Sequence, residues 1–223
     1  MLGNKKIISH FFDKSKLPVI NYYEYPFEHL VVDNCFDPKL IKMVLKDLKH
    51  KDKLFKNKVM GGRFIIRNDK KDFNQVIKKN EATFRLYQYL KSKKNFNKLK
   101  LFFHKSIKKI NVDYLRFYFD YSIGKKGYFR EPHTDSESRV IIFLGYFNRT
   151  NEGSLNLYKY KKNRKKLYER RPKINKLELA KKIEIKSNRF IFFPNSPDSY
   201  HAVSKIKSEK VKRYFCYGSY CIK

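Results

Sequence analysis

The sequence predicts an α+β protein with its helices first: a β-sandwich or barrel of jelly-roll type, preceded by helices that cover one of its sheets. Three observations carry this. From Val112 to the C-terminus, short apolar or alternating runs are separated by turn residues, the pattern of several short strands. Upstream, two stretches keep the apolar spacing of helices. Finally, 41% of the 223 residues are hydrophobic and 17% aromatic, enough to bury a core despite a charge that would otherwise suggest disorder. The length fits one domain over 1–223, with N-terminal strands and supporting helices in 1–111 and the jelly-roll core in 112–223.

Residues 1–20 form a basic leader without clear periodicity, and two β-rich segments follow, Val19 to Tyr25 and Leu30 to Asp33. Asp37 is a good N-cap with Pro38 at the first helical position, and Leu40, Ile41, Val44 and Leu48 keep helical spacing to about His50. Gly61-Gly62 breaks the chain before a short strand, Arg63 to Arg67. Two helices are expected between Glu81 and Ile110, with Phe84, Tyr87 and Leu90, then Leu99, Phe102, Phe103 and Ile107, as apolar faces. The strands expected after that are Val112–Tyr121, Val140–Phe147, Leu155–Tyr160, Ile183–Ile185, Arg189–Phe193 and Arg213–Ile222. Between two of them, Lys159–Lys173 holds nine basic residues and reads as a solvated arm. There is no internal repeat.

Fifty-three Lys and Arg against twenty-one Asp and Glu give a net charge of +32, which by itself suggests a nucleic-acid binder. Yet 41 of the basic residues are Lys, and Lys, Asn, Ile, Phe and Tyr, the residues of A/T-rich codons, make up 113 of the 223. An A/T-biased genome accounts for much of the charge, so it says little about a partner. The longest apolar runs fall far below the ~18 residues of a membrane span, and the N-terminus lacks a signal-peptide apolar core, so the expectation is a soluble, cytoplasmic protein. Cys35, Cys216 and Cys221 form no C-x-x-C pair and offer no zinc site.

Of the six histidines, two open an H-x-D tripeptide, His50-Lys51-Asp52 and His133-Thr134-Asp135; about half an occurrence of His-x-carboxylate is expected by chance. His50 lies at the end of a lysine-rich helix and reads as a solvated surface residue. His133 instead follows an aromatic segment with a glycine turn, Tyr121 to Tyr128, and precedes the apolar run Val140-Ile141-Ile142-Phe143-Leu144. In extended backbone residues i and i+2 share a face, so His133 and Asp135 can present imidazole and carboxylate to one point. His201, just after the apolar strand Phe190 to Pro194, can supply a third ligand. Two His and one carboxylate are the facial triad of non-haem Fe(II).

This order of motifs, H-x-D, then Gly153-Ser154-Leu155-Asn156-Leu157-Tyr158, then Phe192-Phe193-Pro194-Asn195, then His201-Ala202-Val203 and Arg213-Tyr214, resembles the Fe(II)/2-oxoglutarate-dependent dioxygenase superfamily in its prolyl-hydroxylase-like branch. The resemblance covers about residues 112–223. It implies a double-stranded β-helix with Fe(II) bound by His133, Asp135 and His201, and 2-oxoglutarate and O2 as co-reactants. Arg213 matches the basic residue that pairs with the distal carboxylate of 2-oxoglutarate, with Lys210 and Lys212 as competitors; a planar fork suits a buried carboxylate better than an ammonium. Tyr121 resembles a tyrosine that in some members hydrogen-bonds the same carboxylate. Two usual glycines are replaced, by Glu152 before Gly153 and by Asn188, both in turns. The second Arg of nucleic-acid demethylases is here Ser219, and the carboxylate that halogenating members lack is retained as Asp135, so hydroxylation of an unactivated C–H bond is favoured.

The expected substrate is a small molecule or a peptidyl group, with an anionic one favoured by the cationic surface; oligomeric state stays open. Two rivals remain: a basic nucleic-acid or polyanion-binding β-module with a vestigial metal site, and, within the superfamily, a prolyl or lysyl hydroxylase of proteins in place of a small-molecule or sugar hydroxylase. Gly61-Gly62-Arg63 either places an arginine at the active-site mouth or closes a simple hairpin.

Overall fold

The structure, a computed structural model, describes residues 18–71, 73–161 and 169–222. Most of the basic leader and the middle of the Lys159–Lys173 arm lie outside the described residues. In chain order the elements are β1 (Val19–Tyr23), β2 (His29–Asp33), α1 (Pro38–His50), β3 (Asn57–Met60), β4 (Arg63–Arg67), α2 (Phe73–Val76), α3 (Ala82–Lys91), α4 (Lys93–Phe102) and α5 (His104–Ile107). After these come β5 (Leu115–Gly124), β6 (Arg130–His133), β7 (Arg139–Tyr146), β8 (Thr150–Tyr160), β9 (Leu177–Ile185), β10 (Arg189–Pro194), β11 (His201–Val203) and β12 (Arg213–Ile222). An eight-stranded sheet runs β1-β2-β10-β7-β12-β5-β4-β3, and a four-stranded sheet runs β6-β11-β8-β9. Every pairing is antiparallel. This is the double-stranded β-helix, with the helices before it packed on the large sheet.

Two apolar layers follow from strand alternation. In β7, Ile141 and Phe143 face the helices, where they meet Leu48, Leu86, Leu90 and Phe96, whereas Ile142 and Leu144 face the small sheet. That double burial explains why the segment reads as an unbroken apolar run. β10 behaves alike, with Phe190 and Phe192 toward the helices and Ile191 and Phe193 inward. Each such side chain removed from water contributes roughly 1.5–3 kcal/mol. α1 begins as expected: the Asp37 side chain accepts from Lys39 N at 2.7 Å, and Ile41, Val44 and Leu48 are its buried stripe. α4 is capped in the same way by Ser92, which accepts from Asn95 N.

Where two helices were expected between Glu81 and Ile110 there are three, because Ser92 and Phe103 each interrupt the ladder. The strand expected from Val112 begins at Leu115, after a 3-10 turn over Val112–Tyr114. Strands β3, β6 and β11 were not expected. Asn188, in place of a usual glycine, has φ 61°, the left-handed geometry Asn tolerates, and its side chain bonds both Phe36 N and Phe36 O, tying the β9–β10 turn to the approach to α1. No helix among the described residues is long and apolar enough to cross a membrane.

Candidate active site

β6 and β11 are neighbours in the small sheet, and His133 and His201 are direct partners in their register. Sixty-eight residues of separation thus become one cross-strand contact, with ring centroids 4.4 Å apart. β6 ends at His133, so Asp135 reaches the same point from just past the strand. One ligand atom from each of His133, Asp135 and His201 lies within 4.8 Å of the others, and His201 Nε2 is 3.6 Å from Asp135 Oδ2. Each imidazole contacts a backbone carbonyl through Nδ1, His133 to Glu131 O at 2.8 Å and His201 to Ser199 O at 2.9 Å. A carbonyl can only accept, so the proton sits on Nδ1 and the lone pair on Nε2, the tautomer a metal needs. Arg130 Nε donates to His133 Nε2 at 3.2 Å, in keeping with that assignment.

The protonation states suit the same role. Burial, with His201 and Arg130 close by, pushes the His133 pKa down to about 3, and burial lowers that of His201. Both rings are therefore neutral at pH 7. Burial alone would raise the Asp135 pKa, but His201, Arg139, His133 and the Tyr217 hydroxyl bring it below its usual value. Tyr217 Oη donates to both Asp135 oxygens at 3.0 Å. Arg139 Nε lies 3.8 Å from Asp135 Oδ1, and Arg139 Nη1 donates to Ser219 Oγ at 2.5 Å. Ser219 thus occupies the demethylase arginine position on β12, and a guanidinium from β7 contacts it. Neither Tyr217 nor Arg139 was singled out from sequence; the signal for Tyr217 was present, because alternation along β12 puts Arg213, Phe215, Tyr217 and Ser219 on one face.

Arg213 is fully buried. Its Nη1 donates to Gly153 O, while Nε and Nη2 have no acceptor among the described residues. Phe215, Tyr128 and Tyr146 surround the guanidinium with ring centroids 4.3, 4.8 and 5.7 Å from Cζ, and the Tyr146 hydroxyl is likewise buried without a partner. Gly153 makes the arrangement feasible: it has φ +77°, and a Cβ there would sit 3.0 Å from Arg213 Nη1. The competitors lie elsewhere, Lys210 exposed and Lys212 Nζ paired with Asp52 at 2.6 Å.

Tyr121 does not reach this pocket. It pairs with Cys216 in the β5–β12 register, faces the helices with Phe119 and Ile123, and donates its hydroxyl to Thr83 O at 2.5 Å. Alternation decides the matter, since Arg213 lies opposite Gly124, three residues along and on the other face of β5. Arg63 resolves both ways: Gly61-Gly62 closes the β3–β4 hairpin, and Arg63 lines a cavity of about 200 Å³ together with His133, Asp135 and His201.

Residues 117–220 match the family model of the 2OG-Fe(II) oxygenase superfamily. They form a 2OG-Fe(II) oxygenase domain. As such the chain is a 2-oxoglutarate-dependent dioxygenase, working with Fe(II), 2-oxoglutarate and O2. Its fold is similar to that of a prolyl-4-hydroxylase from Pseudomonas putida, with TM-score 0.59 and 14% identity over 87% of this chain and 92% of that one. It is similar also to a prolyl 4-hydroxylase from Phytophthora capsici, with TM-score 0.58 and 14% identity over 87% of this chain and 58% of that one. A prolyl hydroxylase from Trichoplax adhaerens, in complex with a hypoxia inducible factor oxygen degradation domain peptide fragment, has TM-score 0.56 and 14% identity over 87% and 83%. At such identity the likeness is one of fold. No curated protein sequence matches the chain.

Proposed function

We propose that this oxygenase hydroxylates an unactivated C–H bond, with Fe(II) held by His133 Nε2, His201 Nε2 and an Asp135 oxygen, and 2-oxoglutarate anchored by its distal carboxylate on Arg213. The observation that carries the reading is the orphaned guanidinium. A buried cation with unspent donors is costly by several kcal/mol, so Arg213 calls for an anion from outside the chain. Its free Nε and Nη2 are the pair that binds a carboxylate in bidentate fashion, and the Tyr146 hydroxyl offers a further donor.

When bound, Fe(II) with 2-oxoglutarate and O2 supplies oxidative decarboxylation to succinate and CO2 coupled to oxygen insertion. The chain's own residues bind and aim. Nδ1–H bonds to Glu131 O and Ser199 O fix the two imidazoles, and Tyr217 fixes the carboxylate. Leu144, Leu155, Val203 and Phe215 give the cavity an apolar wall that keeps water from the reacting centre. A peptidyl substrate is supported by the peptide held in the Trichoplax fold. Of the two rivals, the vestigial-site module has little support, because both imidazoles carry the tautomer and charge state a metal requires.

A succinate-release screen with Fe(II), 2-oxoglutarate and ascorbate over free amino acids, prolyl peptides and nucleotide sugars tests the reading. A true substrate should raise turnover above the uncoupled background, and His133→Ala should abolish it. Succinate release by His133→Ala at the wild-type rate would overturn the assignment.

A further inference from the structure

Arginine makes up fewer than one in four of the chain's basic residues. Yet the four basic side chains on the cavity wall, Arg63, Arg130, Arg139 and Arg170, are all arginine. In so lysine-rich a chain, four guanidiniums at one cavity indicate a need for the planar fork. Three of them have work inside the protein, Arg130 through the bond from its Nε to His133 Nε2. Arg63 Nη2 chelates the Asp120 carboxylate at 2.7 and 2.9 Å while Nε bonds Ser122, and Arg139 binds Ser219 beside Asp135.

Arg170 is different. Its Nε donates to Thr134 O at 3.3 Å and its own carbonyl accepts from Thr134 N at 3.0 Å, so it is pinned to the residue between two triad members. Arg170 is exposed, and among the described residues its terminal nitrogens meet no protein acceptor and no carboxylate lies at ion-pair distance, so they are open to solvent and to a ligand. Asp135 is the one carboxylate among the lining residues, and Asp120 behind the wall is engaged by Arg63. Four guanidiniums against Asp135 and Asp120 leave this wall net positive, with the exposed Arg170 on its solvent side, where an arriving anion meets it first.

We infer that the substrate carries a carboxylate or phosphate group that docks on Arg170 at this cavity, with Arg130, which rests against the adjacent His133, beside it. This rests on the oxygenase reading for the identity of the substrate's reacting end, and not for the anion site itself. About 200 Å³ is small against the ~300–1,000 Å³ of ordinary ligand pockets. Part of that space belongs to the metal and 2-oxoglutarate, so what remains admits at most one side-chain-sized group, such as that of an acidic small molecule or an acidic residue of a peptide, and not a nucleic-acid duplex.

The test titrates inorganic phosphate calorimetrically into the protein loaded with Mn(II) and saturating 2-oxoglutarate. Phosphate should bind; Arg170→Gln should weaken it at least tenfold, and Lys109→Gln, the same charge removed from a remote exposed lysine, less than twofold. No binding, equal weakening in both variants, or loss of binding as 2-oxoglutarate is added would each overturn the inference, the second by revealing a general polyanion surface. Manganese binding is read separately by electron paramagnetic resonance, so failure of the metal site is told apart from failure of the anion site, which is titrated in metal-free protein as well. The source of the anion is then separated by succinate release with free glutamate against glutamine, and with blocked glutamyl against glutaminyl tripeptides. The inference requires the acidic member of at least one pair to have a KM at least tenfold lower; a neutral member as good as its acidic partner in both pairs overturns it.

Discussion

On the proposed reading Arg213 joins structure and function at a single side chain, because what destabilises the empty fold is what would bind the cosubstrate. Arg213→Met keeps the aliphatic stem and removes the unpaired charge. Two charge-assisted hydrogen bonds at about 1.5–3 kcal/mol each imply that the KM for 2-oxoglutarate rises about 100-fold or more. Without ligand the variant should melt at or above the wild-type temperature, and saturating 2-oxoglutarate should raise the wild-type midpoint but not the variant's. An unchanged KM would remove Arg213 from the site. Tyr217→Phe tests a different link: the ring still packs against Tyr118, but the hydroxyl that meets both Asp135 oxygens is gone. Fe(II) affinity should fall about 10–100-fold with an unaltered far-UV spectrum, as expected when a group orienting a metal ligand is lost. Of these residues the triad and Arg213 were singled out from sequence, the triad by the H-x-D spacing and its strand context and Arg213 by the family resemblance. Tyr146 and Tyr217 were not: alternation with Arg213 along β12 could have pointed to Tyr217, whereas for Tyr146, one of many tyrosines in this chain, only pairing register shows that it faces inward.

At the scale of the element, long strands could be read and short ones could not. β7, β10 and β12 announce themselves through apolar runs or alternation, whereas β6, Arg-Glu-Pro-His, and β11, His-Ala-Val, have too few residues to show a period. Tertiary pairing makes them strands, and they carry both histidines of the site. Tyr121 was misplaced for the reciprocal reason: its position beside the glycine turn was visible, but the face it takes depends on β5 register. β2 holds a second informative histidine. His29 is fully buried, its Nδ1 bonded to Phe27 O and its Nε2 without a partner among the described residues, and burial pushes its pKa down to about 4. The unfolded chain, with a pKa near 6.5, binds a proton that the folded chain refuses. Stability is therefore full above about pH 6.5 and falls as pH drops toward 4. Between pH 7.5 and 4.5 the loss from this group is about 2–3 kcal/mol, and urea midpoints of wild type and His29→Phe at the two pH values should differ in slope by that amount. Parallel pH dependence would place the acid sensitivity elsewhere.

For the whole molecule the question is what a net charge of +32 does to a fold whose chemistry uses few of those charges. The ion pairs are mostly at the surface, such as Lys93–Asp113 and Lys126–Glu209, and pairs of that kind contribute about 0–1 kcal/mol. Repulsion among fifty-three basic groups answered by twenty-one acidic ones is spread over the entire surface and opposes compactness. Salt screens both, with a Debye length of about 10 Å at 0.1 M and about 3 Å at 1 M, but the repulsive pairs outnumber the attractive ones. Raising NaCl from 50 to 500 mM should therefore increase the thermal midpoint by several degrees, and a fall would mean that the ion pairs dominate. The same screening acts oppositely on catalysis. 2-Oxoglutarate is a dianion approaching a cationic surface, so its KM should rise over the same salt range while kcat, set inside the buried pocket, changes little. Stability and cosubstrate capture are thus predicted to move in opposite directions with one variable, a pattern that a fold stabilised by its surface ion pairs would not produce.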